Sequence, residues 1–296
     1  GRWVQFSGIN SFAGGVSLGA PDTRPLIRIA SDSALGTGRL TINSGPSDAP
    51  HITFVGAHRL ANDIAIAQDG RLSVNSQQDG VLTGTISGVN ASIEKSGAGS
   101  LTLTANNTYS GDTKIGAGLL VLANDTANPG SKSFTGTGAL RIEPGTNGSF
   151  GSDFSTSGWS FDSALTGLTL GKSGNTAGIT VADALSIAGP VAIYGGNIAI
   201  NGALTATGSN NINLHSTGSV TQTAAITAGG LGLHGAGSFT LTNASNNVAQ
   251  LAAGSSAARV GAVSYVDSNA LTIDSVNPTG IYSSGDVFVR TLTGDL

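Results

Sequence analysis

Ser100-Leu101-Thr102-Leu103-Thr104-Ala105-Asn106-Asn107-Thr108-Tyr109-Ser110-Gly111-Asp112-Thr113-Lys114-Ile115 sets the reading of the whole chain. A strict apolar/polar alternation leads into a polar, glycine-containing turn and then a second short strand. This is one rung of a coiled sheet. An approximate copy lies near the N-terminus, where Asn10–Ala20 aligns without a gap on Asn107–Ala117, an offset of 107 − 10 = 97 residues that also sets Val4 and Phe6 on Leu101 and Leu103. Self-similarity of this kind points to a repeat architecture.

Working outward, the same apolar–x–apolar triplet recurs from end to end. Leu40-Thr41-Ile42, Ile52-Thr53-Phe54, Ile64-Ala65-Ile66, Leu72-Ser73-Val74 and Leu140-Arg141-Ile142 carry it in the first half. Leu168–Leu170, Ile179–Val181, Leu185–Ile187, Ile198–Ile200, Ile212–Leu214, Leu231–Leu233, Phe239–Leu241, Leu271–Ile273 and Val287–Val289 continue it. In each, two side chains point one way and one the other. Gly36-Thr37-Gly38-x-Leu40-x-Ile42 returns as Gly136-Thr137-Gly138-x-Leu140-x-Ile142, 100 residues on. The strands are short and numerous, which favours stacked coils over a hairpin meander. The expected fold is therefore an all-β parallel β-helix, a solenoid with a single continuous core. Coils of roughly 20 residues rising about 4.8 Å would make a rod on the order of 70 Å long. Coils are expected over 1–145 and, smoother and nearly charge-free, over 146–296, joined through the Gly/Ser/Thr-rich segment 145–158. Pro21, Pro25, Pro46 and Pro50 mark loops.

Composition agrees. The 296 residues are 10% charged and 39% hydrophobic with 45 Gly, so Val, Ile and Leu in twos separate the chain from a disordered linker. A net charge of −4 with scattered Lys and Arg argues against nucleic acid. No run of about 18 apolar residues spans a bilayer as a helix. Without Cys, neither a disulfide framework nor a thiolate metal site can form. The start at Gly1-Arg2-Trp3-Val4 shows no signal peptide and leads to the expectation of a mature portion of something longer.

Gly97-Ala98-Gly99-Ser100-Leu101-Thr102-Leu103-Thr104, Asn107-Thr108-Tyr109-Ser110-Gly111-Asp112-Thr113-Lys114-Ile115 and Gly118-Leu119-Leu120 together resemble the autotransporter passenger repeat, with Ala105 where a Gly is common. Ile193–Gly202 and Gly237–Asn243 are similar to repeats of filamentous-haemagglutinin-type adhesins. The resemblance implies a right-handed parallel β-helix, extracellular on a Gram-negative surface, serving as stalk or adhesive rod of a large secreted protein. Implied partners are host or bacterial surface glycans or proteins, further copies of the rod in a filament or biofilm, and an outer-membrane translocator in the parent protein.

Candidate chemistry is sparse. His51, His58, His215 and His234 have no His or carboxylate at a metal-binding interval. His51 and His58 should project from turns, while His215 and His234, each following a Leu, should be outward-facing, equivalent rungs. No Gly-x-Ser-x-Gly elbow is present. Asp22, Asp32, Asp48, Asp63, Asp69, Asp79, Asp112 and Asp125 are spread through turns, where coils could still bring two together in a polysaccharide-active enzyme. Calcium nonapeptides are absent. Tyr109, Tyr194, Tyr265, Tyr282, Trp3 and Trp159 would serve a glycan-binding module if grouped on one face. The outward Thr41, Thr53, Thr102, Thr104, Thr240 and Thr242 would form a flat ladder if aligned. The expectation is a non-enzyme with no catalytic residue, metal or cofactor; the alternative is a polysaccharide-active enzyme or glycan-binding module.

Overall fold

Each apolar–x–apolar triplet lies in a strand, except that Leu271 stands one residue before Thr272–Ile273. The computed structural model describes every residue other than 1–2, 20–23, 46, 48, 127–131, 275 and 277. Pro21, Asp22, Pro46 and Asp48 fall outside the described residues. Among those described there is no helix, and every strand pairing is parallel. By internal contacts the chain divides into two units, Gly1–Ile142 and Glu143–Leu296.

In the first unit, one sheet stacks Trp3–Phe6, Leu26–Ile29, His51–Phe54, Arg71–Ser76, Ser92–Ser96, Thr113–Ile115 and Ser133–Gly136. A second stacks Val16–Leu18, Leu40–Ile42, Ile64–Ile66 and Ile86–Ser87; a third runs His58–Leu60, Gly80–Leu82, Ser100–Leu103 and Leu119–Ala123. The register His51, Ser73, Glu94, Lys114, Thr135 sets coil lengths of 22, 21, 20 and 21 residues. The chain visits the first, third and second sheets in turn, and each coil's inward residues sit on those of the coil before. Ile27, Ile52, Val74, Lys95 and Ile115 form one such column. Each aliphatic side chain so buried is worth roughly 1.5–3 kcal/mol.

This geometry corrects the internal copy. Leu101 and Leu103 lie in the third sheet, whereas Val4 and Phe6 lie in the first. Likewise Leu40 and Ile42 belong to the second sheet, whereas Leu101's sheet also takes Leu140 and Ile142. Val4 and Lys95 stand four coils apart through Ile27, Ile52 and Val74, and Leu101 lies on the next face after Lys95, so the similarity is shifted by one face. All faces of a coil need the same alternation followed by a polar corner, and the sequence pattern does not distinguish them.

In the second unit, one sheet stacks Phe154–Ser155, Ile179–Val181, Ile198–Ile200, Ser219–Gln222, Ser238–Leu241, Val263–Asp267 and Val287–Thr291. Opposing it are Gly167–Leu170, Val191–Gly195, Asn211–Ser216, Ile226–His234, Asn247–Ala253 and Thr272–Ile273. The nine-residue strand Ile226–His234 serves two faces, because Ile226 and Thr227 pair with Leu204 and Thr205 while Gly230–His234 pair with Asn211–His215. Gly230 lies where the strand turns from one face to the other, and a Cβ there would meet Asn211 Oδ1 at 2.7 Å.

Candidate functional site

The corner encoded by the opening motif is interior. Leu101 and Leu103 are buried, and Asn107 Oδ1 accepts the backbone N–H of Ile86 on the preceding coil at 2.9 Å. Tyr109 is wholly buried with its hydroxyl 2.8 Å from Thr113 Oγ1, and burial pushes its pKa up to about 12. The N–H of Gly111 donates to Ala91 O, and Asn124 Nδ2 donates to the carbonyl of Ala105. The motif therefore spends its polar groups fastening one coil to the next.

Lys95 is the residue that sequence reasoning missed. It stands at an inward position between Val74 and Ile115 and is 0% exposed. Its aliphatic stem fills the core while Nζ reaches the corner and donates to Ser96 O, Gly97 O and Ala117 O at 3.1, 2.6 and 2.9 Å. No carboxylate pairs with it among the described residues. Burial lowers its pKa to about 8. The alternation Ile93-Glu94-Lys95 held the clue, since Ile93 and Lys95 must share a face.

Several of the described carboxylates serve as hydrogen-bond acceptors between coils. Asp32 takes the N–H of Arg59 and the His58 ring, Asp63 takes Thr85 N–H, and Asp79 takes Ser100 N–H and Oγ–H. These bonds hold the carboxyls of Asp32 and Asp79 below the usual range. Asp69 accepts from Asn90 Nδ2, and Asp112 is exposed. Glu94 bridges Arg71 and Lys114 on the outer face. His51 and His58 open strands instead of projecting from turns. Tyr109 and Tyr265 are buried, Trp3 packs its ring on Arg28, and Tyr282 is exposed, so the aromatics do not form one surface. The threonines do not align either: Thr41, Thr53 and Thr102 stand in three different sheets of the first unit.

Trp159 packs among Phe154 and Phe161, and a second ring cluster stacks along the coils. Tyr194, His215 and His234 occupy the same register on Val191–Gly195, Asn211–Ser216 and Ile226–His234, each following a buried Ile193, Leu214 or Leu233. As expected, the two histidines are equivalent rungs; each ring lies 4.1 Å from the next with planes 11° apart. His234 Nε2 donates to Asn213 Oδ1 at 3.1 Å. Burial, reinforced by the neighbouring His234, lowers the His215 pKa to about 4, and burial lowers that of His234, so both are neutral at pH 7. The Tyr194 and His215 rings border a groove of about 220 Å³ lined also by Lys172, Ser173, Asn175, Thr176, Ser216 and Thr217. Asn175 is fully engaged, accepting Phe150 N–H and Ser149 Oγ–H and donating to Ala177 O and Tyr194 O. Lys172 Nζ donates to Pro144 O and Gly145 O, both at 2.6 Å. The arrangement offers a ligand aromatic surface, hydroxyls and one ammonium.

Residues 93–127 match the family model described as passenger-associated-transport-repeat, the segment that contains Lys95 and the Asn107–Tyr109 corner. No curated protein and no solved structure matches the chain. The sequence-level resemblance to the autotransporter passenger repeat is thus supported over those residues, and the parallel solenoid is the fold it implies.

Proposed function

We propose that this chain is part of the passenger of an autotransporter-type surface protein, exported through an outer-membrane translocator and exposed outside the cell. Its work is mechanical and adhesive: it holds binding surface away from the membrane, engages surface glycans or proteins weakly and repeatedly, and associates with other copies in a biofilm. The observation that carries the reading is the passenger-associated-transport-repeat at 93–127, set within coils whose polar groups are used to join one coil to the next. Weak contacts repeated along many copies gain avidity without a strong single site. It is a non-enzymatic reading, supported by carboxylates that cap backbone N–H groups on neighbouring coils.

The test is to display the chain on a non-adherent bacterium, between a translocator barrel and a distal epitope tag. Surface labelling of the tag together with cell clumping or adherence to glycan-coated plates is the expected outcome. Labelling without adherence would sink the adhesive role and leave only a spacer. Failure of the tag to reach the surface would sink the passenger reading.

A further inference from the structure

The groove beside the Tyr194 ladder has three properties that together define a ligand. First, it crosses successive coils. Its lining comes from 172–176, then Tyr194 and Gly195, then 215–217, then Gly235, so it runs about 14 Å along the stacking direction at the usual strand spacing. That is the length of an extended chain of a few rings, not of a small ion. Second, one wall is aromatic. Tyr194 is the end ring of the stack, with His215 on one side; the residue that follows Leu170 on the preceding coil is Gly171, which supplies no side chain to continue the ladder. Third, its charge is one-sided. Lys172 forms no ion pair among the described residues, and none of the lining residues is Asp or Glu. Two of the three ammonium hydrogens are taken by Pro144 O and Gly145 O, which fix its position and leave the third.

We propose that this groove binds an acidic oligosaccharide, with a sugar ring packed against the Tyr194 end of the ladder and a ring carboxylate paired with Lys172. A pyranose offers what the groove lacks and matches what it has: an apolar C–H face for the aromatic wall, hydroxyls for Ser173, Thr176 and Thr217, and a negative charge for the ammonium. Phosphodiester chains fit less well, since a single lysine meets a repeating charge. The neutral imidazoles at pH 7 leave Lys172 to set the charge preference. On acidification His215 gains charge beside Tyr194, and carboxylate binding should tighten until the ligand itself is protonated.

The inference stands apart from the passenger reading: the groove can be empty in a passenger rod, and it can bind in a protein of another kind. The experiment is NMR titration of the intact chain with trigalacturonate, following the ring C–H resonances of His215 and His234, with maltotriose as the neutral control. Millimolar trigalacturonate should shift both histidines, and maltotriose should bind at least about 10-fold more weakly. Tyr194→Ala and Lys172→Gln should each weaken trigalacturonate by about 10-fold or more, while Lys172→Arg retains most of the affinity. Unchanged folding of each variant is read from its amide spectrum. Histidine resonances that stay fixed in the wild-type chain, equal binding of both trisaccharides, or full affinity in Tyr194→Ala would each overturn the proposal.

Discussion

Replacing Lys95 by Met separates the cost of a buried charge from the packing of its stem. The side chain is inaccessible, its ammonium is held only by the carbonyls of Ser96, Gly97 and Ala117, and its pKa is lowered to about 8 by burial. An unfolded lysine titrates near 10.4. Below pH 8 both states carry the proton and the penalty is constant. Between the two values the unfolded chain binds the extra proton, so stability rises with pH, by at most about 1.4 kcal/mol per unit. Above the unfolded value the penalty is gone. Methionine has the length of the stem and no proton to lose, so the Lys95→Met chain lacks this term. The buried Tyr109 and Tyr265, whose raised pKa values act at higher pH, are common to both chains and cancel in the comparison. The assay is the urea midpoint of both proteins from pH 7 to 10. The wild-type advantage should grow through that window. A difference that stays flat would refute the placement of an uncompensated ammonium in the core.

Other perturbations test the joints between coils. Gly118→Ala should cost on the order of 2–4 kcal/mol, since its φ is +67° and a Cβ would meet Gly97 O and Gly99 O at 2.5 Å and Lys95 Nζ at 2.7 Å. Gly116→Ala, with its nearest neighbour at 3.5 Å, should be close to neutral by the same thermal melt. Asn246→Leu removes the side chain that accepts Ile226 N–H and donates to Leu241 O and Val266 O, and a loss of about 3–5 kcal/mol in chemical denaturation is expected. NMR titration of His215 should give a midpoint near 4, moving upward in His234→Phe because the neighbouring charge is gone while the stack remains. A midpoint near 6.5 in the wild-type chain would contradict the half-buried ladder.

The strands were legible in the sequence because burial in a solenoid repeats every second residue, and the Leu40, Ile64 and Ile198 triplets show it without interruption. Coil phase was not legible. Leu101 and Val4 carry the same local pattern on different sheets, and only the strand register that leads from Val4 through Ile27, Ile52 and Val74 to Lys95 reveals the slip. Lys95 was passed over because a charged residue is ordinarily read as outward; its stem is long enough to lie in the core while the amine reaches the corner. For the groove, Leu214-His215 and Leu233-His234 disclosed equivalent rungs, but adding Tyr194 required the register of Val191–Gly195 on Asn211–Ser216. Lys172 enters through a loop, which no strand periodicity locates.

The claim beneath all of this is that neighbouring coils lie side by side, parallel and in register. With no native cysteine, spin labels at Thr221→Cys and Thr240→Cys report on it directly, because these exposed residues are partners on adjacent coils. Strong dipolar broadening is expected for this pair, and weaker broadening for Thr180 with Thr221, which stand two coils apart through Ala199. Labels that fail to broaden at Thr221 and Thr240, or a reversed order between the two pairs, would contradict the stacked-coil fold.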